Sequence, residues 1–184
     1  MEKRFIGIGE YEASKDPAIM QTVLGSCVAV CLFDQKNRIG GMNHILLPGI
    51  KEEAKFNSSS RYGINAMELL INSIIKLGGE RKLLAAKVFG GAHIIPSISV
   101  ENSVGKRNAE FAINFLKEER IRVICRDVGG NKARKILFHT DTGEVFLKRI
   151  AYTMPEKIAE KEASTLKKMK KETGKTGEII LFDD

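Results

Sequence analysis

Residues 22–48 decide the fold, and they read TVLGSCVAVCLFDQKNRIGGMNHILLP. Two apolar runs, residues 28–33 and 39–47, flank a polar tip at residues 34–37. Runs of Val, Ile, Leu and Phe that are bounded by Asp, Asn and Gly are typical of paired strands. The stretch therefore predicts a β-hairpin near the centre of the domain.

This hairpin brings a thiol and an imidazole together. If its loop consists of Gln35 and Lys36 alone, Cys27 lies directly opposite His44, with Cβ atoms about 5 Å apart on one face of the sheet. A loop one residue longer would put them on opposite faces unless a bulge corrects the register. An imidazole can take the proton of a neighbouring thiol, so this pair is the smallest unit of thiol nucleophilic catalysis.

The turn before the cysteine is a candidate for binding an oxyanion. Gly25 allows a tight or left-handed backbone, and such a turn can present N–H groups beside a nucleophile. Gly25 and Ser26, together with Asn43 next to His44, are therefore the candidate residues for substrate or oxyanion binding.

Length and composition indicate one domain. The chain has 184 residues, of which 43% are hydrophobic, enough for an ordinary core. No apolar run approaches the roughly 20 residues that span a bilayer, and the first residues do not resemble a signal peptide. The three cysteines, Cys27, Cys31 and Cys125, form no even framework and no CxxC motif. Free thiols in a cytoplasmic protein are the expectation.

The charge pattern argues against a nucleic-acid partner. The formal net charge is +7, and a basic surface can attract nucleic acid, acidic proteins or membranes. However, Asp and Glu are interspersed with Lys and Arg along the chain, and no RNP-like aromatic motif or recognition helix is present. We expect neither nucleic-acid binding nor membrane insertion.

The remaining chain reads as a mixture of strands and two core helices. Residues 50–60 are polar and predict a loop, whereas the apolar spacing of residues 60–77 and 103–119 predicts amphipathic helices. Further strands are predicted at residues 4–9, 83–89, 121–128, 136–139 and 144–150.

The composition changes after residue 154. Residues 155–184 are highly charged and prone to form a helix, so we interpret them as an appendage to a domain of residues 1–154. The segment is either a solvated helix with a frayed end or a docking element. In the second case residues 179–182, Ile-Ile-Leu-Phe, contact the core, a neighbouring copy or a partner.

Several motifs in order resemble the CheD family of chemoreceptor glutamine deamidases. The cysteine lies in LGSCVAVCL, and a histidine follows 17 residues later in the context GMNHILLP. The resemblance covers about residues 5–150. Its other motifs are residues 6–11 (IGIGEY), 89–92 (FGGA), 105–108 (GKRN) and 127–131 (DVGGN) with Arg134.

The resemblance implies an activity and a catalytic set. Family members convert selected glutamines of methyl-accepting chemotaxis receptors to glutamate, and some also hydrolyse receptor methyl esters. By this resemblance Cys27 is the nucleophile, His44 the general base and Thr22 the third catalytic residue, with no metal and no organic cofactor. The implied fold is α+β, a three-layer β/β/α sandwich of mixed sheets that resembles the catalytic domain of cytotoxic necrotizing factor toxins.

Two alternatives belong to other functional classes. The first is a metal site built from thiols and imidazoles, but Cys27 and Cys31 in one strand would be about 13 Å apart and could not share an ion. The second is a binding module, because related systems pair this family with a CheC-type phosphatase of the response regulator CheY, which the deamidase activates. For the metal site, the other thiols and imidazoles that could be ligands are His44, His93, Cys125 and His139.

Overall fold

A computed structural model describes residues 1–47, 56–93 and 103–150, together with residues 160, 162–165 and 167. Within residues 1–47, 56–93 and 103–150 the chain forms nine strands and two α-helices, with a 3₁₀ turn at Arg81–Leu83. The elements in chain order are β1 (Glu2–Phe5), β2 (Tyr11–Ser14), β3 (Ala18–Leu24), β4 (Val28–Asp34), β5 (Ile39–Ile45), α1 (Phe56–Lys76), β6 (Leu84–Gly90), α2 (Val104–Glu118), β7 (Arg122–Val128), β8 (Arg134–His139) and β9 (Val145–Arg149).

The strands form two mixed sheets, which confirms the predicted α+β class. One sheet has the order β1-β3-β8-β9, with β1 parallel to β3 and the other pairs antiparallel. The second sheet has the order β2-β5-β4-β6-β7, with only β6 and β7 parallel. The arrangement is compatible with a sandwich.

Strand β4 is buried on both faces because it lies between two cores. Its even-numbered side chains, Val28, Val30 and Leu32, pack with the buried faces of α1 and α2. Its odd-numbered side chains pack against residues of β3 and β8 in the other sheet. This explains why residues 28–33 are a continuous apolar run rather than an alternating one. The helix residues in the first core include Met67, Leu70, Ile71, Ile74, Ala109, Ala112 and Leu116.

The predicted two-residue hairpin loop is wrong. Strand pairing ends at Asp34 opposite Ile39, so the loop has four residues, Gln35 to Arg38. The Asp34 carboxylate stabilises this longer loop by accepting hydrogen bonds from the backbone N–H of Asn37 at 3.0 Å and of Glu80 at 2.8 Å. The predicted register is therefore shifted by two residues.

The corrected register keeps the thiol and the imidazole on one face. His44 lies opposite Ala29 rather than opposite Cys27. Because side chains alternate with a period of two, a shift of two residues leaves Cys27 and His44 on the same side of the sheet. They are diagonal neighbours instead of a direct pair.

Several element boundaries differ from the predictions. Strand β1 ends at Phe5 rather than at residue 9, and β2, which pairs with β5, was not predicted. Helix α1 begins at Phe56, so residues 56–60 are helical and not part of a polar loop. Residues 50–55 and the docking candidate 179–182 lie outside the described residues.

The charged appendage is described at six positions, and these are helical. The domain boundary at residue 154 stays a prediction. Of the helices in the described part of the chain, none is long and apolar enough to cross a membrane.

Gly90 lets β6 approach the backbone of the cysteine, and its replacement should be costly. Gly90 has φ 112°, and a Cβ atom there would lie 2.2 Å from the carbonyl oxygen of Cys27. We expect Gly90→Ala to lower the free energy of unfolding in urea by about 3 kcal/mol or more, because strain and overpacking add. Gly129 is the matched control, since its φ is also positive (75°) but no atom lies within 4 Å of the added Cβ. Gly129→Ala should cost only about 1–2 kcal/mol, and equal losses in the two variants would contradict the close approach.

Candidate active site

A hydrogen bond between the two sheets fixes the ring of His44. His44 lies in β5, and Thr22 lies in β3 of the other sheet; both are buried. The Thr22 hydroxyl oxygen is 2.9 Å from Nδ1 of His44 and donates to the carbonyl oxygen of Ile6 at 2.7 Å. The same carbonyl is 3.2 Å from Nδ1.

This network assigns the tautomer of the imidazole. The Ile6 carbonyl can only accept, and the single proton of the Thr22 hydroxyl is used in the bond to it. Nδ1 of His44 must therefore carry a proton to interact with both oxygens. In the neutral ring, Nε2 is then the basic nitrogen, as a general base requires.

Cys27 directly precedes β4 and is completely buried. Its carbonyl accepts a hydrogen bond of 2.7 Å from the N–H of Gly91, which continues the pairing of β4 with β6. Its side chain belongs to the core between the two sheets, with Ala29 and Cys31. His44 lies two residues after Met42 and two before Leu46, so its side chain is on the same face of the chain as theirs. Both of those side chains lie in that same core. Diagonal neighbours in such a pair are roughly 7–8 Å apart, within reach of an imidazole.

The turn before Cys27 binds a carboxylate from the C-terminal appendage. The N–H of Ser26 donates to Glu162 Oε2 at 3.2 Å, and the N–H of Cys27 donates to Oε1 at 3.3 Å. The Ser26 hydroxyl also donates to Oε2. The predicted oxyanion-binding turn thus presents two backbone donors and a hydroxyl to one negatively charged group.

Burial and this contact both favour the protonated form of the Cys27 thiol. Burial raises the pKa of the Cys27 thiol well above its usual range, and the charge of Glu162 and its hydrogen bond with the thiol raise this pKa further. With the carboxylate in place, the cysteine is a neutral thiol at neutral pH. A reactive thiolate requires the opposite conditions.

Gly25 does not adopt the left-handed backbone that its position suggested, and its role in substrate or oxyanion binding stays a prediction. Its carbonyl accepts a hydrogen bond of 2.8 Å from the N–H of Ala92. Positive φ angles around this turn occur at Gly90 and Gly91, not at Gly25. The left-handed glycines therefore lie on the segment that packs against the turn, in the FGGA motif.

Asn43 does not fit the predicted role in substrate or oxyanion binding. It neighbours His44 in β5, so its side chain points to the opposite face of the sheet. Its Oδ1 accepts from the N–H of Val30 at 3.1 Å, and its Nδ2 donates to the carbonyl of Ala66 at 3.3 Å. The side chain joins the sheet to α1 on the face away from Cys27.

Asn108 is a positioning residue that residue-by-residue reasoning missed. It is fully buried on α2, where its Nδ2 donates to the carbonyl of Ser26 at 2.8 Å and its Oδ1 accepts from the N–H of Leu47 at 3.0 Å. Asn108 therefore links the turn at Ser26 to the backbone of Leu47, three residues after His44. The sequence feature that could have identified it is a polar residue on the apolar stripe of the predicted helix, beside Ala109 and Ala112.

Arg134 explains a further motif of the resemblance. Its buried guanidinium donates to the side chain and carbonyl of Asp127 and to the carbonyl of Gly129, which fixes the DVGGN loop. The carbonyl of Gly130 in this loop accepts from the N–H of His93 at 2.8 Å. Arg134 thus holds the loop that binds the backbone of His93, two residues after Gly91.

The proposed metal ligands are dispersed in the fold. Cys31 is buried between the sheets, Cys125 is exposed on β7, and His139 packs on Phe146 with ring centroids 5.3 Å apart. Among the residues that the structure describes, no group of three or more His, Cys, Asp or Glu side chains could hold a metal ion.

The fold and this site define an α+β protein with a buried thiol and an oriented imidazole. These are the two groups that thiol-dependent hydrolases use. The family model described as CheD chemotactic sensory transduction matches residues 46–149. A protein of Shewanella oneidensis named probable chemoreceptor glutamine deamidase CheD 1 is 42% identical over 178 residues, covering 96% of this chain and 85% of that protein. The chain belongs to the CheD family.

Two further relatives carry the same kind of name. A probable chemoreceptor glutamine deamidase CheD 1 of Burkholderia thailandensis is 44% identical over 157 residues, covering 84% of this chain and 66% of the relative. A probable chemoreceptor glutamine deamidase CheD of Burkholderia mallei is 43% identical over 157 residues, with the same two coverages. The family model begins after His44, but the Shewanella alignment covers nearly the whole chain.

Loss of the Asn108 side chain should destabilise the site. Asn108→Ala leaves a buried carbonyl and a buried N–H without their partners, so we expect the free energy of unfolding to fall by about 2–4 kcal/mol. Glu110→Ala is the control on the same helix, since its side chain is exposed, and it should stay within about 0.5 kcal/mol of wild type. Urea denaturation of both variants measures the difference, and a loss for Asn108→Ala no larger than the control's would contradict the assigned role.

Proposed function

We propose that this protein is a cytoplasmic chemoreceptor glutamine deamidase. It would hydrolyse the side-chain amide of selected glutamines on methyl-accepting chemotaxis receptors, releasing ammonia and leaving glutamate. The names of the relatives support the substrate class. The observation that carries the chemistry is the Thr22–His44 hydrogen bond, which orients an imidazole on the sheet face that also holds Cys27.

Each residue of the predicted catalytic set then has a defined task. Cys27 is the nucleophile, because its thiolate can attack the amide carbon. His44 is the general base and acid, because its Nδ1 is held in the protonated form and Nε2 can exchange a proton. Thr22 is a positioning residue that acts through His44.

The first half of the reaction forms a thioester. His44 takes the thiol proton, and the sulfur of Cys27 bonds to the amide carbon of the receptor glutamine. The carbonyl oxygen becomes an oxyanion, for which the N–H groups of Ser26 and Cys27 are suitable donors. The C–N bond then breaks, and His44 gives its proton to the departing ammonia.

The second half releases the product. Water, deprotonated by His44, attacks the thioester carbon; the C–S bond breaks, and the sulfur regains a proton. The receptor residue is then a glutamate. A methyl ester could enter the same thioester with methanol as the leaving group, so methylesterase activity is an additional expectation.

Two finer predictions extend this proposal. The resemblance implies that a CheC-type phosphatase binds this protein, which would make the deamidase also an activator of that phosphatase. It also implies that the fold is similar to the catalytic domain of cytotoxic necrotizing factor toxins. Both stay predictions.

The deamidation is tested by mass spectrometry of a receptor cytoplasmic fragment incubated with the enzyme. Wild type should convert particular glutamines to glutamates, and Cys27→Ala should abolish the conversion. His44→Ala should slow it by about 10²–10⁴. Cys31→Ala is the matched control, because Cys31 is a buried thiol four residues further along the chain whose side chain lies in the same core as that of Cys27. We expect it to retain activity.

The outcomes separate the parts of the proposal. No conversion of any cognate receptor by wild type would reject the deamidase function and favour the binding-module alternative. Conversion that survives Cys27→Ala would reject the nucleophile.

The role of Thr22 has its own test. Thr22→Val keeps the shape but removes the hydroxyl that binds Nδ1, so kcat should fall by about tenfold to a hundredfold with little change in KM. Thr22→Ser restores the hydroxyl and should recover most of kcat. Equal activities of the Val and Ser variants would show that the hydroxyl does not position His44.

A further inference from the structure

The carboxylate at the candidate oxyanion site comes from the same chain. Glu162 lies 135 residues after Cys27, in the appendage that the sequence predicts to be either a solvated helix or a docking element. Its side chain is buried with the residue only 5% exposed, whereas Glu160 on the same helical stretch is exposed. Burying an ionised carboxylate is costly unless donors compensate it.

The donors that compensate Glu162 are those that the reaction needs. They are the N–H and hydroxyl of Ser26 and the N–H of Cys27, and the thiol of Cys27 completes the contact. A glutamate carboxylate against a protonated cysteine, with its oxygens on these N–H groups, is also what remains after the thioester is hydrolysed. The arrangement therefore has the composition of an enzyme–product complex.

We propose that Glu162 is a built-in product analogue: its side chain occupies the pocket that takes the receptor glutamine, and its segment must withdraw before a receptor can react. This inference rests on the proposed deamidase function for the identity of the ligand. The pocket's ligand class is a side-chain carboxylate or carboxamide on a helix. The receptor and the C-terminal segment then compete for one site.

A tethered ligand is an effective competitor even when its intrinsic affinity is low. Its local concentration is set by the chain and reaches about the millimolar range for short linkers. Because the competition is lost once a receptor has bound, the tether should raise KM for the receptor and leave kcat unchanged. It also protects the thiol, since the neighbouring carboxylate disfavours the thiolate that oxidants and alkylating agents attack.

Alkylation of the full-length protein by iodoacetamide tests the occupancy without any receptor. Rates at Cys27 are measured by peptide mass spectrometry, with the exposed Cys125 in each sample as the internal reference. E162A should react at Cys27 on the order of tenfold faster than wild type, while E160A should match wild type. Equal rates in E162A and wild type, or the same gain in E160A, would overturn the proposal.

A second variant tests the product-like pose. E162Q places a glutamine amide where the structure has the carboxylate, so Cys27 should hydrolyse it in cis, consuming water and releasing ammonia. Mass spectrometry should find glutamate at position 162 in E162Q and the unchanged amide in the Cys27→Ala/E162Q double variant. Persistence of the amide in an E162Q protein that deamidates receptors would overturn this pose.

Receptor kinetics separate this inference from the function on which it rests. With a receptor fragment, E162A should show a KM several-fold lower than wild type and E160A, at unchanged kcat. If wild type deamidates the receptor and E162A has the same KM, the product-analogue proposal fails while the function stands. If alkylation is faster in E162A but no receptor is modified, the blocked pocket stands while the deamidase function fails.

Discussion

The hydrogen bond between Nδ1 of His44 and the hydroxyl oxygen of Thr22 connects the two sheets, and the site depends on it. The two residues are buried and lie in different sheets, with the Ile6 carbonyl as their shared partner. Breaking this network would remove hydrogen bonds from buried polar groups, so the packing of the two sheets and the ring orientation support each other.

Cys27, the proposed nucleophile, is placed by a different constraint, which is the alternation of side chains along a β-hairpin. A same-face relation between Cys27 and His44 could be predicted from strand periodicity, but the direct pairing could not. The loop length depends on Asp34, which accepts from the N–H of Glu80, 46 residues away. Local turn rules contain no information on such a contact, which explains why the predicted two-residue loop was wrong although the face was right.

The alternation of side chains along β5 also excludes Asn43 from the face that holds Cys27 and His44, since residues 43 and 44 cannot point to the same face of a regular strand. Asn43 was predicted to bind substrate or the oxyanion because it neighbours His44 in the sequence, but its side chain points to the opposite face of the sheet. The helices were predictable because their apolar stripes are long, whereas the early start of α1 at Phe56 lies in a polar stretch without an apolar stripe. Asn108 and Arg134 act through contacts far along the chain, so only the fold shows what they hold.

The Ser26–Cys27 turn binds the Glu162 carboxylate with the same N–H groups that the proposed mechanism uses for the oxyanion. Donors arranged for an oxyanion also bind a carboxylate, because both present negative oxygen atoms at the same distance. A site of this kind attracts any acidic side chain that can reach it. The C-terminal segment of this chain supplies one, whose identity as Glu162 among many charged residues could not be predicted from composition.

The tautomer of His44 is the most direct test of the central claim, that Thr22 holds the imidazole as a base for Cys27. Nitrogen-15 NMR can measure it, since the chain has only three histidines. The structure predicts a proton on Nδ1 and an unprotonated Nε2 in the neutral ring, with this preference weakened in Thr22→Val. A neutral ring protonated at Nε2 in the wild-type protein would contradict the account.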